Sequence, residues 1–191
     1  MLPAVQIMLQ LTLIDHLESN LGTTVVGWKD DDAAVDVAIA GFEDRPVSGV
    51  QMYCTMGLSS HPLPLGGKLV RQELIFAADD RFGGVRIAAS LSMLAEDIVR
   101  RQRPLMRGEI IGTRSPIILG TLMEQLFACS PGPLTDSLAV CEQTDPPTIF
   151  RWVVPIHDNE AHLARSRGWQ ALEAALADKD DLWDLRRRPV I

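Results

Sequence analysis

The chain has 191 residues, 47% of them hydrophobic and 23% charged, which is enough for one globular domain with its own core. A formal net charge of −7 opposes phosphate backbones, which argues against general nucleic-acid binding and favours cationic partners. The three cysteines, Cys54, Cys129 and Cys141, form no CxxC pair and have no histidines at ligand spacing, so neither a disulfide framework nor a metal site is indicated. A reducing cytoplasm fits this usage, and no cofactor is expected.

The apolar start, "MLPAVQIMLQLTLIDHLESNLG", lacks the basic flank and cleavage site of a signal peptide and is broken by Gln6 and Gln10. It predicts a helix over 5–21, with Ile7, Leu11, Ile14, Leu17 and Leu21 on its buried face and Gly22 as its stop. No segment is long and apolar enough to span a bilayer. Acidic runs at Asp30–Asp32 and at Asp178, Asp180 and Asp181 read as solvated loops.

"AVDVAIA" and "VQMYCTM" alternate like two half-buried strands, with Val35, Val37 and Ile39 inward in the first. In the second, Val50, Met52, Cys54 and Met56 oppose Gln51, Tyr53 and Thr55. "GFEDRPVSG" between them has turn composition, so the two are expected to pair as a hairpin. "SSHPLPLGG" interrupts the pattern before "KLVRQELIFA" resumes it as a third strand, with Val70, Leu74 and Phe76 inward and Arg71 and Glu73 on a charged outer face.

From Gly84 to Arg103 the period becomes helical through Ile87, Leu91, Leu94 and Ile98, with Arg100, Arg101 and Arg103 near the end and Pro104 stopping it. The arginines suit capping as well as a binding patch. Ile117 to Cys129 is read as strand, although its periodicity also admits a helix, and "TIFRWVVPI" is a clearer strand closed by Pro155. Gly168 separates two short C-terminal helices, the second carrying Trp169, Leu172 and Leu176 on one face. Strands in the middle with helices at both ends and one between predict an α+β domain with a mixed, mostly antiparallel sheet.

Three places invite a chemical reading. "GLSSH" begins like a nucleophile elbow, but His61 stands where the second glycine is needed and prolines prevent the following helix. "HDNEAH" brings His157, Glu160 and His162 together, yet the histidines are five apart rather than four, and a capping box with Glu160 reaching back to the N-cap amide is the stronger reading. His157 is a poor N-cap, so Asp158 is the alternative. Gly66–Gly67 and Gly83–Gly84 lack the pattern of a phosphate loop.

Taken in order, "YCTMGLSSHPL", "QELIFAAD", "GEII", "WVVPIHDNEAHLARSRGWQALEAAL" and "LWDLRRRPVI" resemble the Suppressor of fused-like (SUFU) domain family from about Gly49 to the C-terminus. The carrying patterns are T-x-G-L-S-x-H-P and P-I-x-x-x-E, followed by a D-L-x-R-x-x-V/I tail. His157 departs from them, because a threonine N-cap usually follows Pro-Ile. The resemblance implies a mixed sheet flanked by helices and no enzymatic activity. It also implies a protein partner: eukaryotic relatives restrain Gli-type transcription factors held as an added strand, and stand-alone bacterial members serve as immunity proteins against toxins.

The leading expectation is therefore a single SUFU-like domain, 1–191, acting as a cytoplasmic immunity protein against a partner toxin, with an acidic surface suited to a basic one. It binds no nucleic acid and no membrane. Candidate partner-binding residues are Tyr53, Ser59, His61, Glu73 and Glu160, each of which also has a structural reading. The alternatives are a regulatory module that adds a peptide at a sheet edge, and a small-molecule or enzymatic domain using His61, Tyr53 and Glu73.

Overall fold

A computed structural model describes residues 4–30, 33–112, 116, 120–132, 134–177 and 179–191. Asp31, Asp32 and Asp178 of the acidic runs, and residues 117–119 of the expected Ile117–Cys129 strand, lie outside the described residues.

The chain runs α1 (Ala4–Leu21), β1 (Val26–Lys29), β2 (Ala38–Phe42), β3 (Val50–Met56), β4 (Leu63–Leu65), β5 (Lys68–Asp79), α2 (Gly84–Arg101), β6 (Ile110–Gly112), β7 (Gln125–Cys129), β8 (Val140–Cys141), β9 (Thr148–Ile156), α3 (Asp158–Arg167) and α4 (Trp169–Ala177). The main sheet is ordered β1-β2-β3-β5-β9-β7-β6, with β4 added to β5 and β8 to β9. Among the described strands, only β5 and β9 pair in parallel, Arg71 opposite Thr148 and Ile75 opposite Trp152. A parallel pair needs a long crossover, here supplied by α2 and β6 to β8. The fold is the expected mixed, mostly antiparallel α+β sheet, and β2 and β3 form the expected antiparallel pair.

Two apolar layers cover the sheet. Residues of α1, α3 and α4, including Leu13, Leu17, Ala161 and Leu172, pack with Met52, Cys54, Phe127 and Phe150. Ile87, Leu91 and Ile98 of α2 pack with Tyr53, Leu74, Phe76 and Val153. Covered on both sides, β3 and β5 are not half-buried: Tyr53, Thr55 and Glu73 are buried like their neighbours, and the charged outer face expected for β5 does not exist at Glu73. Alternation identified the strands but could not report a second layer over them.

Other boundaries also shift. The buried stripe of α1 is Leu13, Leu17 and Leu21, whereas Ile7 and Leu11 are 44% and 52% exposed and Ile14 is exposed as well. The strand expected from Val35 begins at Ala38, although Val37 is buried. "SSHPLPLGG" is not merely a break, since Leu58–Ser60 make a 3₁₀ turn and β4 forms a short hairpin with the start of β5 through Gly66 and Gly67, both with positive φ. β9 continues through Pro155 to Ile156. Gly22 stops α1 with φ +84°, its N–H bonded to the Glu18 carbonyl at 2.9 Å, as the sequence predicts. No helix among the described residues is long and apolar enough to cross a membrane.

Candidate functional site

The first polar constellation is built from the turn after β3. Glu73 of β5 is wholly buried, and the Thr55 hydroxyl donates to its Oε2. The Gly57 and Ser59 amides donate to its Oε1, both at 3.0 Å. Thr55 Oγ1 in turn accepts the Leu74 N–H at 2.7 Å, and Arg71 Nη1 donates to the Ser59 carbonyl at 2.6 Å. Gly57 has φ +123°, and a Cβ there would sit 2.5 Å from the Asp36 carbonyl, so this approach needs glycine. The absence of a Cβ lets the turn fold its amides onto one carboxylate. Burial pushes the Glu73 carboxyl above its ordinary value, against the pull of the Thr55, Ser59 and Gly57 donors.

The second constellation joins the start of α3 to the C-terminal segment. Arg187 and Glu160 form a bidentate pair, Nη1 to Oε1 at 2.6 Å and Nη2 to Oε2 at 2.9 Å, with both side chains at 0% exposure. Glu160 also accepts the His157 N–H at 2.8 Å and the Val190 N–H at 2.9 Å. Burial pushes its carboxyl up, but the Arg187 bonds and the His157 and Val190 amides together hold it below its usual range.

The His157 amide bond to Glu160 is the glutamate half of the expected capping box. His157, not Asp158, is the N-cap, and its Nε2 lies 3.0 Å from the Arg187 carbonyl. Asp158 instead accepts from Gln125 Nε2 at 3.1 Å. His162 is exposed, and no cluster of three potential His, Cys, Asp or Glu metal ligands occurs among the described residues.

The five residues singled out as contacts therefore have unequal positions. Tyr53, Ser59, Glu73 and Glu160 are each 0% exposed and present no side-chain surface to a partner in this conformation. The Tyr53 hydroxyl donates to Gln51 Oε1 at 2.7 Å, its ring packs against Trp28 and Phe76, and burial followed by the Asp80 charge raises it to about 12. His61 alone is partly exposed, at the end of the 3₁₀ turn. Arg187, the arginine of the D-L-x-R-x-x-V/I tail, is not among the candidate contacts, and it is the buried one of the three C-terminal arginines. The signal for it is the tail pattern itself, which separates Arg187 from Arg186 and Arg188.

Two surface features remain. A cavity of about 770 Å³ opens between α4, β7 and β9, lined by Phe127, Trp152, Val154, Leu176 and Trp183 among others, and none of His61, Tyr53 or Glu73 lines it. A shallow depression between α1 and β8 is lined by Asp15, Glu142, His16 and several hydroxyl and amide side chains. Elsewhere several cations are paired: Arg100 and Arg101 with Asp97, Arg103 with Glu109, Arg81 with Asp79 and Asp184, and Arg107 with Glu173. The arginines at the end of α2 are thus a paired solubility and capping feature rather than an open cationic patch.

The profile of the Suppressor of fused protein (SUFU) family matches residues 31–188. The immunity protein YqcF of Bacillus subtilis (strain 168) is 25% identical over 174 residues, spanning 87% of this chain and 88% of its own. A Suppressor of fused homologue from Neisseria gonorrhoeae FA 1090 superposes with a TM-score of 0.78 at 16% identity, covering 97% of this chain and 98% of the other. The chain in the Sufu–Fu complex superposes with a TM-score of 0.76 at 16% identity, over 95% and 91% of the two chains. Drosophila Suppressor of Fused gives 0.68 at 18% identity, and this chain spans 50% of its length.

Proposed function

Because the chain belongs to the Suppressor of fused protein (SUFU) family, we propose that it is a non-catalytic protein-binding domain of the immunity type, occupying a basic toxin domain and keeping it from its substrate. The observation that carries this reading is the match with an immunity protein along nearly nine-tenths of both chains. Geometry supports it in two ways. The polar residues of the family-like motifs are spent on internal bracing rather than converging in a cleft as reacting groups would. Two exposed carboxylates, Asp15 and Glu142, line the depression between α1 and β8, and we place the basic partner there.

Complementary charge acts mainly on the association rate, by steering the encounter, and its effect weakens as salt screens it. The chain, immobilised and exposed to extract of its native cell, is expected to retain one basic protein in stoichiometric amount. For that partner, Asp15→Asn combined with Glu142→Gln should slow association about tenfold at low salt and leave dissociation nearly unchanged. Stopped-flow mixing reads both rates, and an unchanged association rate would remove this face from the account.

Addition of a partner strand is the second reading, favoured by β1, which ends the sheet with no described strand on its outer side. Salt-insensitive retention of an extended peptide would favour it over charge-steered docking.

A further inference from the structure

The cavity between α4 and the β7–β9 part of the sheet has its mouth among three segments: Val47 of the β2–β3 connection, Gly132 and Asp136 after β7, and Ala177, Lys179 and Asp180 at the end of α4. Its volume of about 770 Å³ falls inside the roughly 300–1,000 Å³ typical of small-molecule sites. Phe127, Trp152 and Val154 of its floor are almost wholly buried, so the chemistry a ligand meets first is that of the mouth.

Two kinds of surface lie there. The apolar kind is Val47, 51% exposed, with exposed Ala177 and half-buried Trp183. Trp183 lays one face on Trp152, with ring centroids 5.7 Å apart and planes 25° apart, and the rest of its ring borders the cavity.

The charged kind is unbalanced. Arg107 is matched by Glu173, its Nη2 2.7 Å from Oε2, and its guanidinium lies over the Trp169 ring. Lys179 and Asp180, exposed neighbours in sequence, offset each other in sign. The Cys129 thiol, raised by burial to about 12, carries no charge near neutrality. That leaves Asp136, which is exposed and whose carboxylate has no cation and no hydrogen-bond donor among the described residues. A Cβ on Gly132 would lie 3.2 Å from Asp136 Oδ1, so the carboxylate stands over another residue of the same lining.

An anion would be repelled by that carboxylate, and a neutral molecule would leave it unmatched. A charge carried to the apolar floor would lose its hydration without a partner, whereas a cation held at the mouth keeps part of its water and gains Asp136. Indole rings also attract cations.

We propose that this mouth binds a small organic cation, an ammonium group on an apolar body, with the ammonium at the Asp136 carboxylate and the body against Val47, Ala177 and Trp183. The proposal does not rest on the toxin-binding reading: Asp136 lines this cavity, whereas the next residue, Ser137, lines the depression between α1 and β8. The probes are 4-phenylbutylamine, 4-phenylbutan-1-ol and 4-phenylbutanoate, which share one body and end in a cation, a hydroxyl and an anion.

In calorimetric titration of the intact chain at low salt, the amine is expected to bind saturably at one site, about threefold more tightly than the alcohol and about tenfold more tightly than the carboxylate. Raised salt should shrink both preferences. Asp136→Asn, at an exposed position, should bring the amine down to the level of the alcohol and leave the alcohol unchanged. Ala177→Trp, which narrows the mouth from another exposed position, should abolish binding of the amine while circular dichroism stays unchanged. No saturable binding of the amine, no preference for it over the carboxylate, a preference that survives Asp136→Asn, or binding untouched by Ala177→Trp would overturn the proposal.

Discussion

Arg187→Ala is expected to destabilise the fold by roughly 3 to 5 kcal/mol, because it strands a carboxylate whose side chain is fully buried. Removing the guanidinium deletes both arms of the Glu160 pair and the bond from Nη2 to the Pro155 carbonyl. It also loosens the bracket that ties the Val190 amide to Glu160 and the Asn159 side chain to the Ile191 carbonyl. The double variant Glu160→Gln/Arg187→Met should be less damaging than Arg187→Ala alone, since an uncompensated buried charge costs more than losing the pair together.

The pH dependence separates this from simple loss of packing. Glu160 is held below its ordinary value in the folded chain, so its contribution is present above the unfolded carboxyl value of about 4.3 and is lost as pH falls through the lower folded value. In Arg187→Ala the lone carboxyl is instead raised by burial and takes up a proton more readily, so the gap to wild type should narrow on acidification. Urea melts at neutral pH and near pH 4 measure both effects. A gap within about 0.5 kcal/mol at neutral pH would mean the pair contributes nothing measurable.

Glu73→Ala should cost on the order of 4 kcal/mol, since it leaves the Thr55 hydroxyl and the Gly57 and Ser59 amides without their acceptor and opens a hole under the turn. Glu73→Gln keeps an oxygen for the two amides and should cost about 1 kcal/mol. Here the titration runs the other way. A folded value raised above the unfolded one means that this group stabilises most below about pH 4.3 and that its contribution declines as pH rises through the raised value. Glu73→Gln removes that decline, so its deficit should be larger in acid than at neutral pH. A deficit independent of pH would show that the carboxyl does not titrate differently on folding.

The hairpin of β2 and β3, helix α2 with its Ile87, Leu91 and Ile98 stripe, and the split between α3 and α4 at Gly168 were legible because each rests on local periodicity or turn chemistry. The two-sided burial of Tyr53 and Glu73 was not, because alternation describes one strand and says nothing of the layer over its other face. In α1, apolar residues occur almost all round, and only the tertiary contacts select Leu13 and Leu17 over Ile7 and Leu11. The motif segments themselves were visible in the sequence. What they do was hidden in pairings across long separations: Thr55, Gly57 and Ser59 meet Glu73, and Glu160 meets Arg187. Spacing along the chain carries no record of which distant side chain completes a buried charge.

With Glu73 and Glu160 bonded internally, the proposed docking surface is the one where Asp15 and Glu142 lie, and His61 is partly exposed at the end of the 3₁₀ turn. Four of the side chains named as contacts, Tyr53, Ser59, Glu73 and Glu160, are buried in this conformation, and Glu73 and Glu160 bond the turn after β3 and the C-terminal segment. The proposed role is neutralisation of a basic toxin.

Growth tests it most directly, in cells producing the protein that the chain retains from its native extract, with and without the chain. The account predicts that the partner alone arrests growth, that the chain restores it, and that Asp15→Asn/Glu142→Gln restores it less well. A harmless partner, or an arrest that the chain leaves untouched, would contradict it.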